Sequence, residues 1–569
     1  MARKSLAVVF AGSGGSGAMS AGAVFLRACA RAGYFGMMNQ LFGAQVRGGE
    51  SAALVQVSID PIEAQPDRYD LFVALDWEKV DQFAAEIPLD QASAVLADPQ
   101  AGAMPPNIAK SKARNVAFAM AEGVKHGRGA QRVNMYAVGA VGALAGLSTD
   151  NVEAAVADVF KDKPTDIVAA NLKSAVSGFA SSANLTLNIR LDAPRHAARW
   201  LISGNQAIAL GALRGGVRFV GCYPITPATD LVEWLAPHLM KLGGRLVLGE
   251  DELASVNMAL GASYGGTPAM TVTAGPGFSL MVETIGLAVA AEIPLVLVDV
   301  MRAGPSTGIA SKTEQSDINL AVYGAHGDAP RIVMAPMSVA DCAATAEYAA
   351  YVAEAFQTPV IVLSDQQLGQ STTVIDSDQP RPKPMARRVN GVAPADGAFK
   401  RYAIAADPLT PMPPPGTPGH EWVAEGLTHN EVGLPASGAG PHVAQINKRA
   451  KKIARFDPGE WWGECWGDSA TAIVAFGSTV GPAREAARRL AAAGRPVRVV
   501  ALRVIAPLPV AHLARALDGV RRVIVVEQNH GAQLYHYLLG QKAIPTAAES
   551  VARPGPLPYR PSEIASYVA

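Results

Sequence analysis

The sequence predicts an α/β protein built from open, largely parallel sheets. Short apolar runs alternate with segments of helical periodicity along most of the chain. The connections after the runs are rich in Gly and Pro, as βα turns are. Polar clusters stand directly behind several runs, at strand C-terminal ends, where sheets of this kind place ligands.

Taken in order, residues 6–10 (Leu-Ala-Val-Val-Phe) read as a strand running into Gly12-Ser13-Gly14-Gly15-Ser16-Gly17 and a helix over Ala18–Ala32. The turn fits the glycine pattern of a dinucleotide-binding loop, but no acidic residue follows where the second strand ends. A nicotinamide-dependent reductase is therefore one alternative. The other is a tight strand-to-helix turn whose helix start can receive a phosphate or another polar group. Strands over Ala53–Ile59, Leu71–Leu75 and Val133–Ala137, with helices over Val152–Phe160 and Ile167–Ala180, complete a first α/β domain over residues 1–190.

Residues 191–375 read as a second α/β domain, doubly wound, with strands near 217–221, 246–249, 269–273, 294–300 and 359–363. Val217, Phe219 and Val220 lead into Gly221-Cys222-Tyr223-Pro224-Ile225-Thr226-Pro227, whose two prolines forbid helix and display the Thr226 hydroxyl on a stiff loop. Leu246, Val247 and Leu248 lead into Glu250-Asp251-Glu252 and a helix with Leu253, Val256 and Leu260 on one face. Glu250 and Asp251 suit a helix first turn. Glu252, backed by Ala and Leu, is poorly solvated and needs a partner that shares a proton with it.

Residues 376–465 read as an extended arm or linker, with ten prolines from Pro380 to Pro418. Residues 466–569 return to strand–helix alternation and place Glu527-Gln528-Asn529 behind the strand Val523–Val526.

Composition narrows the function. The 569 residues carry 49 Lys+Arg and 49 Asp+Glu, with no long basic run, which argues against a nucleic-acid or anionic-membrane partner. The most apolar stretch, Ile285–Val300, is broken by Glu292, Pro294 and Asp299 and cannot span a bilayer. With no leader pattern at Arg3 and Lys4, the expectation is a cytoplasmic protein. Cys29, Cys222, Cys342 and Cys465 are scattered and read as small buried hydrophobes, not as a metal or iron–sulfur site.

Five motifs occur in one order: Tyr223-Pro224-Ile225-Thr226-Pro227, Glu250-Asp251-Glu252-Leu253-Ala254, Thr273-Ala274-Gly275-Pro276-Gly277-Phe278, Arg302-Ala303-Gly304-Pro305-Ser306-Thr307-Gly308 and Lys312-Thr313-Glu314-Gln315. Together they resemble the α subunit of 2-oxoacid:ferredoxin oxidoreductases with a γ domain fused in front, the 2-oxoglutarate type most closely. Gly12–Gly17 and Gln45-Val46-Arg47-Gly48-Gly49 match the γ pattern. The C-terminal part resembles the last domain of transketolase-like enzymes.

The resemblance implies a thiamine-diphosphate enzyme that decarboxylates a 2-oxoacid, passes the acyl group to coenzyme A and delivers electrons to ferredoxin. Glu252 would hold the aminopyrimidine, with Tyr223, Pro224, Ile225, Thr226, Gly275 and Phe278 around it, although a packed core role suits Phe278 equally. Thr226, Arg302 and Lys312 would meet the substrate, Lys312 being the preferred cation. The Gly-Asp-Gly motif that binds the diphosphate through Mg²⁺ is missing: Gly327-Asp328-Ala329 and Gly467-Asp468-Ser469 lack its last glycine. Mg²⁺ and the iron–sulfur cluster are therefore assigned to a β subunit, in a dimer of αβ heterodimers. Pyruvate or branched-chain 2-oxoacids are the substrate alternatives, and a non-catalytic assembly subunit is the remaining one.

Overall fold

The computed structural model describes residues 3–43, 49–125, 132–195, 197–391 and 398–568. The expected γ-pattern residues Gln45–Gly48 lie outside them. The chain divides into two compact units: Met1–Ser203 with Gln370–Asp378 and Arg560–Ser562, and the remainder.

In the first unit, the described residues form an eight-stranded sheet. Its order is Arg114–Ala117, Ala94–Ala97, Leu71–Ala74, Ser5–Ser13, Glu50–Ser58, Phe35–Phe42, Thr372–Asp376, Arg199–Ser203. The buried run Leu6–Ala11 is central, parallel to Leu71–Ala74 and antiparallel to Glu50–Ser58. Its two faces carry separate apolar cores, one around Val8, Phe10 and Phe25, the other around Val9, Phe72 and Trp77.

The segment expected as a strand at Val133–Ala137 is instead the start of a helix, Val133–Ala145. Its β-branched start is overridden by the small residues that follow. Gly139 meets the helix Thr165–Ser181 so closely that a Cβ there would sit 1.9 Å from the Ala175 carbonyl oxygen. Gly178 makes the reciprocal approach to Tyr136.

The second unit holds two sheets. The larger runs Val504–Ala506, Ile332–Met334, Pro359–Asp365, Leu295–Met301, Ala269–Thr273, Phe219–Cys222, Arg245–Leu248. All pairings are parallel except the one made by Val504–Ala506. The chain steps from Phe219–Cys222 outward to Arg245–Leu248, then back across to Ala269–Thr273. The winding thus reverses between Phe219–Cys222 and Ala269–Thr273, and a crevice opens at their C-terminal ends. The smaller sheet runs Gly463–Trp466, Arg498–Leu502, Thr471–Phe476, Arg522–Glu527, Glu549–Ala552. One apolar core joins the two sheets, with Val256, Phe278 and Met281 in contact with the cluster that holds Phe476, Leu502 and Leu534.

Among its described residues the Pro-rich arm carries a helix, Ala439–Ala454, within the segment 376–465 that the prolines mark as an extended arm or linker. Arg401, Tyr402 and Met412 are fully buried. The arm is anchored on Glu292, which has left-handed backbone (φ 52°) and no solvent exposure. Its carboxylate accepts from Lys448 at 2.5 Å and Lys452 at 2.8 Å, while its carbonyl accepts from Arg401. Burial opposes the charge, but the three cations outweigh it and hold the Glu292 carboxyl well below the usual range. Cys29, Cys222 and Cys342 are buried as expected, whereas Cys465, on an outer strand of the smaller sheet, is exposed. No helix of the described residues is long and apolar enough to cross a membrane.

Glu292→Gln leaves two buried ammonium groups facing a neutral amide. We expect a loss of about 3–5 kcal/mol in urea unfolding near neutral pH, the range for removing one partner of a buried ion pair. Because the Glu292 carboxyl is held low when folded, its stabilising contribution is present above the unfolded carboxylate pKa of about 4.3 and falls as pH drops below it. The wild-type advantage over the variant should shrink accordingly in acid.

Candidate functional site

The expected site residues converge on the crevice where the winding reverses. The loop after Phe219–Cys222 exposes Tyr223, Pro224 and Thr226 and half-buries Ile225. Two side chains hold its far end. The buried Asn205 donates to the Pro227 carbonyl at 2.9 Å, and Arg302 donates to the Thr226 carbonyl at 2.7 Å. Arg302 is itself buried, which lowers its pKa, and its Nε has no partner. The structure thus places Arg302 on loop backbone, beneath the Thr226 hydroxyl.

Glu252 is the first residue of the helix Glu252–Tyr264 and is 8% exposed. Asp251 caps that helix, accepting from the Ala254 N–H at 2.7 Å, so one carboxylate of the acidic cluster is committed to structure. The buried face is Glu252, Ser255, Val256, Ala259, Leu260 and Ser263. Leu253, expected on that face, is 46% exposed because Glu252 takes the inward position one residue earlier.

Glu252 leans on the next helix start, Gly275–Ala290. A Cβ on Gly277 would lie 2.2 Å from Thr273 Oγ1 and 2.7 Å from Glu252 Oε1. Gly277 therefore leaves the space the carboxylate fills, a role the Gly-Pro-Gly motif suggested only in general terms. Phe278 is fully buried among Val256, Met281 and Ile285 and supports this turn from the core side. Glu252 takes no hydrogen bond among the described residues, and its oxygens are not among the fully enclosed, unpartnered side-chain atoms, so the carboxylate stays open to a ligand in the crevice.

The cation loop folds back on itself. Ala303 N–H donates to the Lys312 carbonyl at 2.9 Å, and Ile309 N–H donates to the Ala303 carbonyl. Gly308 adopts φ 54°, and a Cβ there would meet the Ala303 carbonyl oxygen at 1.7 Å, so the turn admits only glycine. Lys312 is half-buried.

Sequence reading missed what fixes this loop. Glu314 accepts from Gly304 N–H at 3.2 Å. Gln315 exchanges hydrogen bonds with the Gln528 backbone and donates to the Phe476 carbonyl, and Asn529 donates to the Gln315 carbonyl. Both ends of this contact, Lys312–Gln315 and Glu527–Asn529, stood out in the sequence. Only the fold pairs them.

The glycine-rich turn of the first unit borders a separate cavity of about 490 Å³, lined among others by Ser16, Gly17, Asp76, Arg132, Asn134 and Lys163. Asp76 is already engaged, accepting from the Ser13 N–H and hydroxyl.

Three family models match successive parts of the chain. "Pyruvate ferredoxin/flavodoxin oxidoreductase" covers residues 7–181, its thiamine-diphosphate-binding counterpart covers 210–448, and the transketolase C-terminal domain covers 461–552. The 2-oxoglutarate synthase subunit KorA of Archaeoglobus fulgidus is 36% identical, over 58% of this chain and 88% of that protein. The α subunit of 2-oxoacid:ferredoxin oxidoreductase 2 of Aeropyrum pernix is 35% identical over 63% of this chain, and the match spans 58% of that protein's length. The solved 2-oxoglutarate:ferredoxin oxidoreductase of Magnetococcus marinus, described with 2-oxoglutarate, coenzyme A and succinyl-CoA bound, is 34% identical with a TM-score of 0.90, covering 100% of this chain and 99% of that one. With that full-length likeness laid over a buried, unpartnered glutamate at the crevice, the chain belongs to the 2-oxoacid:ferredoxin oxidoreductase family.

Proposed function

We propose that this chain is the α subunit of a 2-oxoglutarate:ferredoxin oxidoreductase. The reaction is 2-oxoglutarate with coenzyme A and two oxidised ferredoxins giving succinyl-CoA, CO₂ and two reduced ferredoxins, with release of a proton. The full-length match to an enzyme of that name carries the reading. The residues of the crevice fit the pyrimidine side of thiamine diphosphate: a buried carboxylate lacks a partner, and Gly277 keeps open the space in which it stands. When bound, that cofactor supplies the electron sink that decarboxylation of a 2-oxoacid requires.

The chain's own residues do three things. Glu252 Oε would meet the aminopyrimidine ring, in the space that Gly277 keeps open beside it. Arg302 and Asn205 fix the backbone of the Tyr223–Pro227 loop, which leaves the exposed Thr226 hydroxyl available to a substrate as a donor. Lys312 offers a point charge to a substrate carboxylate, and Gln315 and Glu314 hold the loop that carries it. Because the Gly-Asp-Gly motif is missing, we assign the diphosphate and its Mg²⁺ to a β subunit, and because the four cysteines are scattered we assign the iron–sulfur cluster there too. The family resemblance supplies ferredoxin as electron acceptor and a dimer of αβ pairs in the cytoplasm. The first-unit cavity, with Arg132 and Lys163 beside a helix start, suits an anionic part of coenzyme A.

The test is an anaerobic assay of the chain co-purified with its β partner, following coenzyme-A-dependent viologen reduction. Turnover with 2-oxoglutarate and not with pyruvate or 2-oxoisovalerate is expected, with a loss of at least about 10²-fold in Glu252→Gln, the usual weight of proton-transfer catalysis. Turnover with pyruvate instead overturns the substrate assignment, and no turnover in a cofactor-loaded complex overturns the class.

Gly277→Ala is expected to cost about 1–3 kcal/mol through overpacking and to lower bound thiamine diphosphate in parallel, read by cofactor content after gel filtration. Arg132→Ala together with Lys163→Ala should raise KM for coenzyme A while leaving KM for the 2-oxoacid unchanged. Equal effects on both would remove coenzyme A from that cavity.

A further inference from the structure

Behind the crevice, on the far side of the Gly275 turn from Glu252, stand two carboxyl groups that the reading above does not use. Asp299 lies on the strand Leu295–Met301, in register with Thr273 on one side and Leu363 on the other, and is fully buried. Asp317 precedes the helix Ile318–Tyr323 and reaches the same helix start that bounds Glu252: a Cβ on Gly275 would lie 2.8 Å from Asp317 Oδ2. Asp299, beside Thr273, and Asp317, against Gly275, therefore meet at one strand-to-helix turn, two residues apart along the chain that forms it. Yet both oxygens of Asp299, and Oδ2 of Asp317, are buried with no donor. Two ionised carboxylates cannot bond to each other, and a buried one without any donor is strongly disfavoured.

We propose that Asp299 and Asp317 share one proton, Asp299 donating to Asp317, and that the pair positions the first turn of the Gly275 helix and through it Glu252. The inference rests on the assignment of Glu252 as the cofactor glutamate. The charged group facing the pair is acidic too: Glu314, on the loop before Asp317. No cation of the described residues contributes to holding either aspartate ionised. Burial, reinforced by Asp317, raises Asp299 well above the ordinary carboxylate value. Burial raises Asp317 to about 6 against the hydrogen bond from Asp299. With both raised, the pair's contribution to stability is complete below the unfolded pKa of about 3.9 and is lost as pH climbs through the folded values, first near 6.

The first experiment is isotope-edited infrared spectroscopy of the full chain with labelled aspartate. A protonated aspartic C=O stretch at pH 7 that vanishes in Asp299→Asn is expected; its absence from the wild type overturns the shared proton and needs no variant to fold. The second compares Asp299→Asn, which keeps a donor to Asp317, with Asp299→Leu, which leaves that carboxylate unpartnered. In the complex with its β partner, the asparagine variant should hold thiamine-diphosphate affinity and kcat within about threefold. The leucine variant should lose about tenfold or more in both, with KM for the 2-oxoacid little changed. Equal behaviour of the two overturns the positioning role; if the leucine variant does not fold, loss of the cofactor from the asparagine variant does the same. If Glu252→Gln leaves turnover intact, the Glu252 assignment fails while the infrared result stands independently.

Discussion

The placement of one carboxylate where the sheet reverses its winding governs this structure. Glu252 is held at 8% exposure as the first residue of its helix, with no hydrogen bond among the described residues, and the surrounding fold keeps it there. The sheet reverses its winding beside it. Asp251 takes the capping role so that Glu252 does not have to, and Gly277 gives up a side chain so that the carboxylate has room. This arrangement suits the proposed role of Glu252, because a site preformed for its ligand has no reorganisation left to do at binding.

A second layer of polar groups makes the mouth of the crevice rigid. Gln315 spends its amide and its backbone on the smaller sheet, through Gln528, Phe476 and Asn529. Asp365, fully buried, accepts from Leu368 and Ser478 backbone N–H groups and from the Thr313 hydroxyl. Glu527 accepts from Leu534 and Tyr535 and so fixes a helix start next to the same contact. These groups are satisfied from both sheets of the second unit, so the position of the Lys312 loop depends on a domain that supplies no residue to the expected site.

Much of this was legible in sequence, and the misses share a cause. Apolar runs, Pro-stiffened turns and the order of the five motifs located the crevice because they are local signals. The start of the helix Val133–Ala145 reads as a strand in sequence because its use of Gly139 is visible only against Gly178, on a helix some forty residues away. Periodicity counted from the apolar residues turns Leu253 inward, whereas the helix is phased by its buried glutamate. The helix Ala439–Ala454 carries two lysines, Lys448 and Lys452, that look like a solvated face until Glu292 is brought against them. Asp299 gave no signal at all: in an apolar run it read only as an interruption.

The exposed apolar residues around the crevice complete the argument. Tyr223, Leu248, Leu253, Leu280 and Ile309 are each at least 40% exposed, and all belong to strand ends, helix starts or loops of the second unit that build or flank the site. An apolar rim of this kind marks a surface for a ligand or a partner. A relative of this chain is named as an α subunit, and a thiamine-diphosphate-binding family model covers the crevice. The position of Glu252 and the exposure of this apolar rim are two aspects of one arrangement under the proposed function: the chain would contribute one rigid wall of the site, and the proposed β partner would both cover the rim and bring the diphosphate side against it.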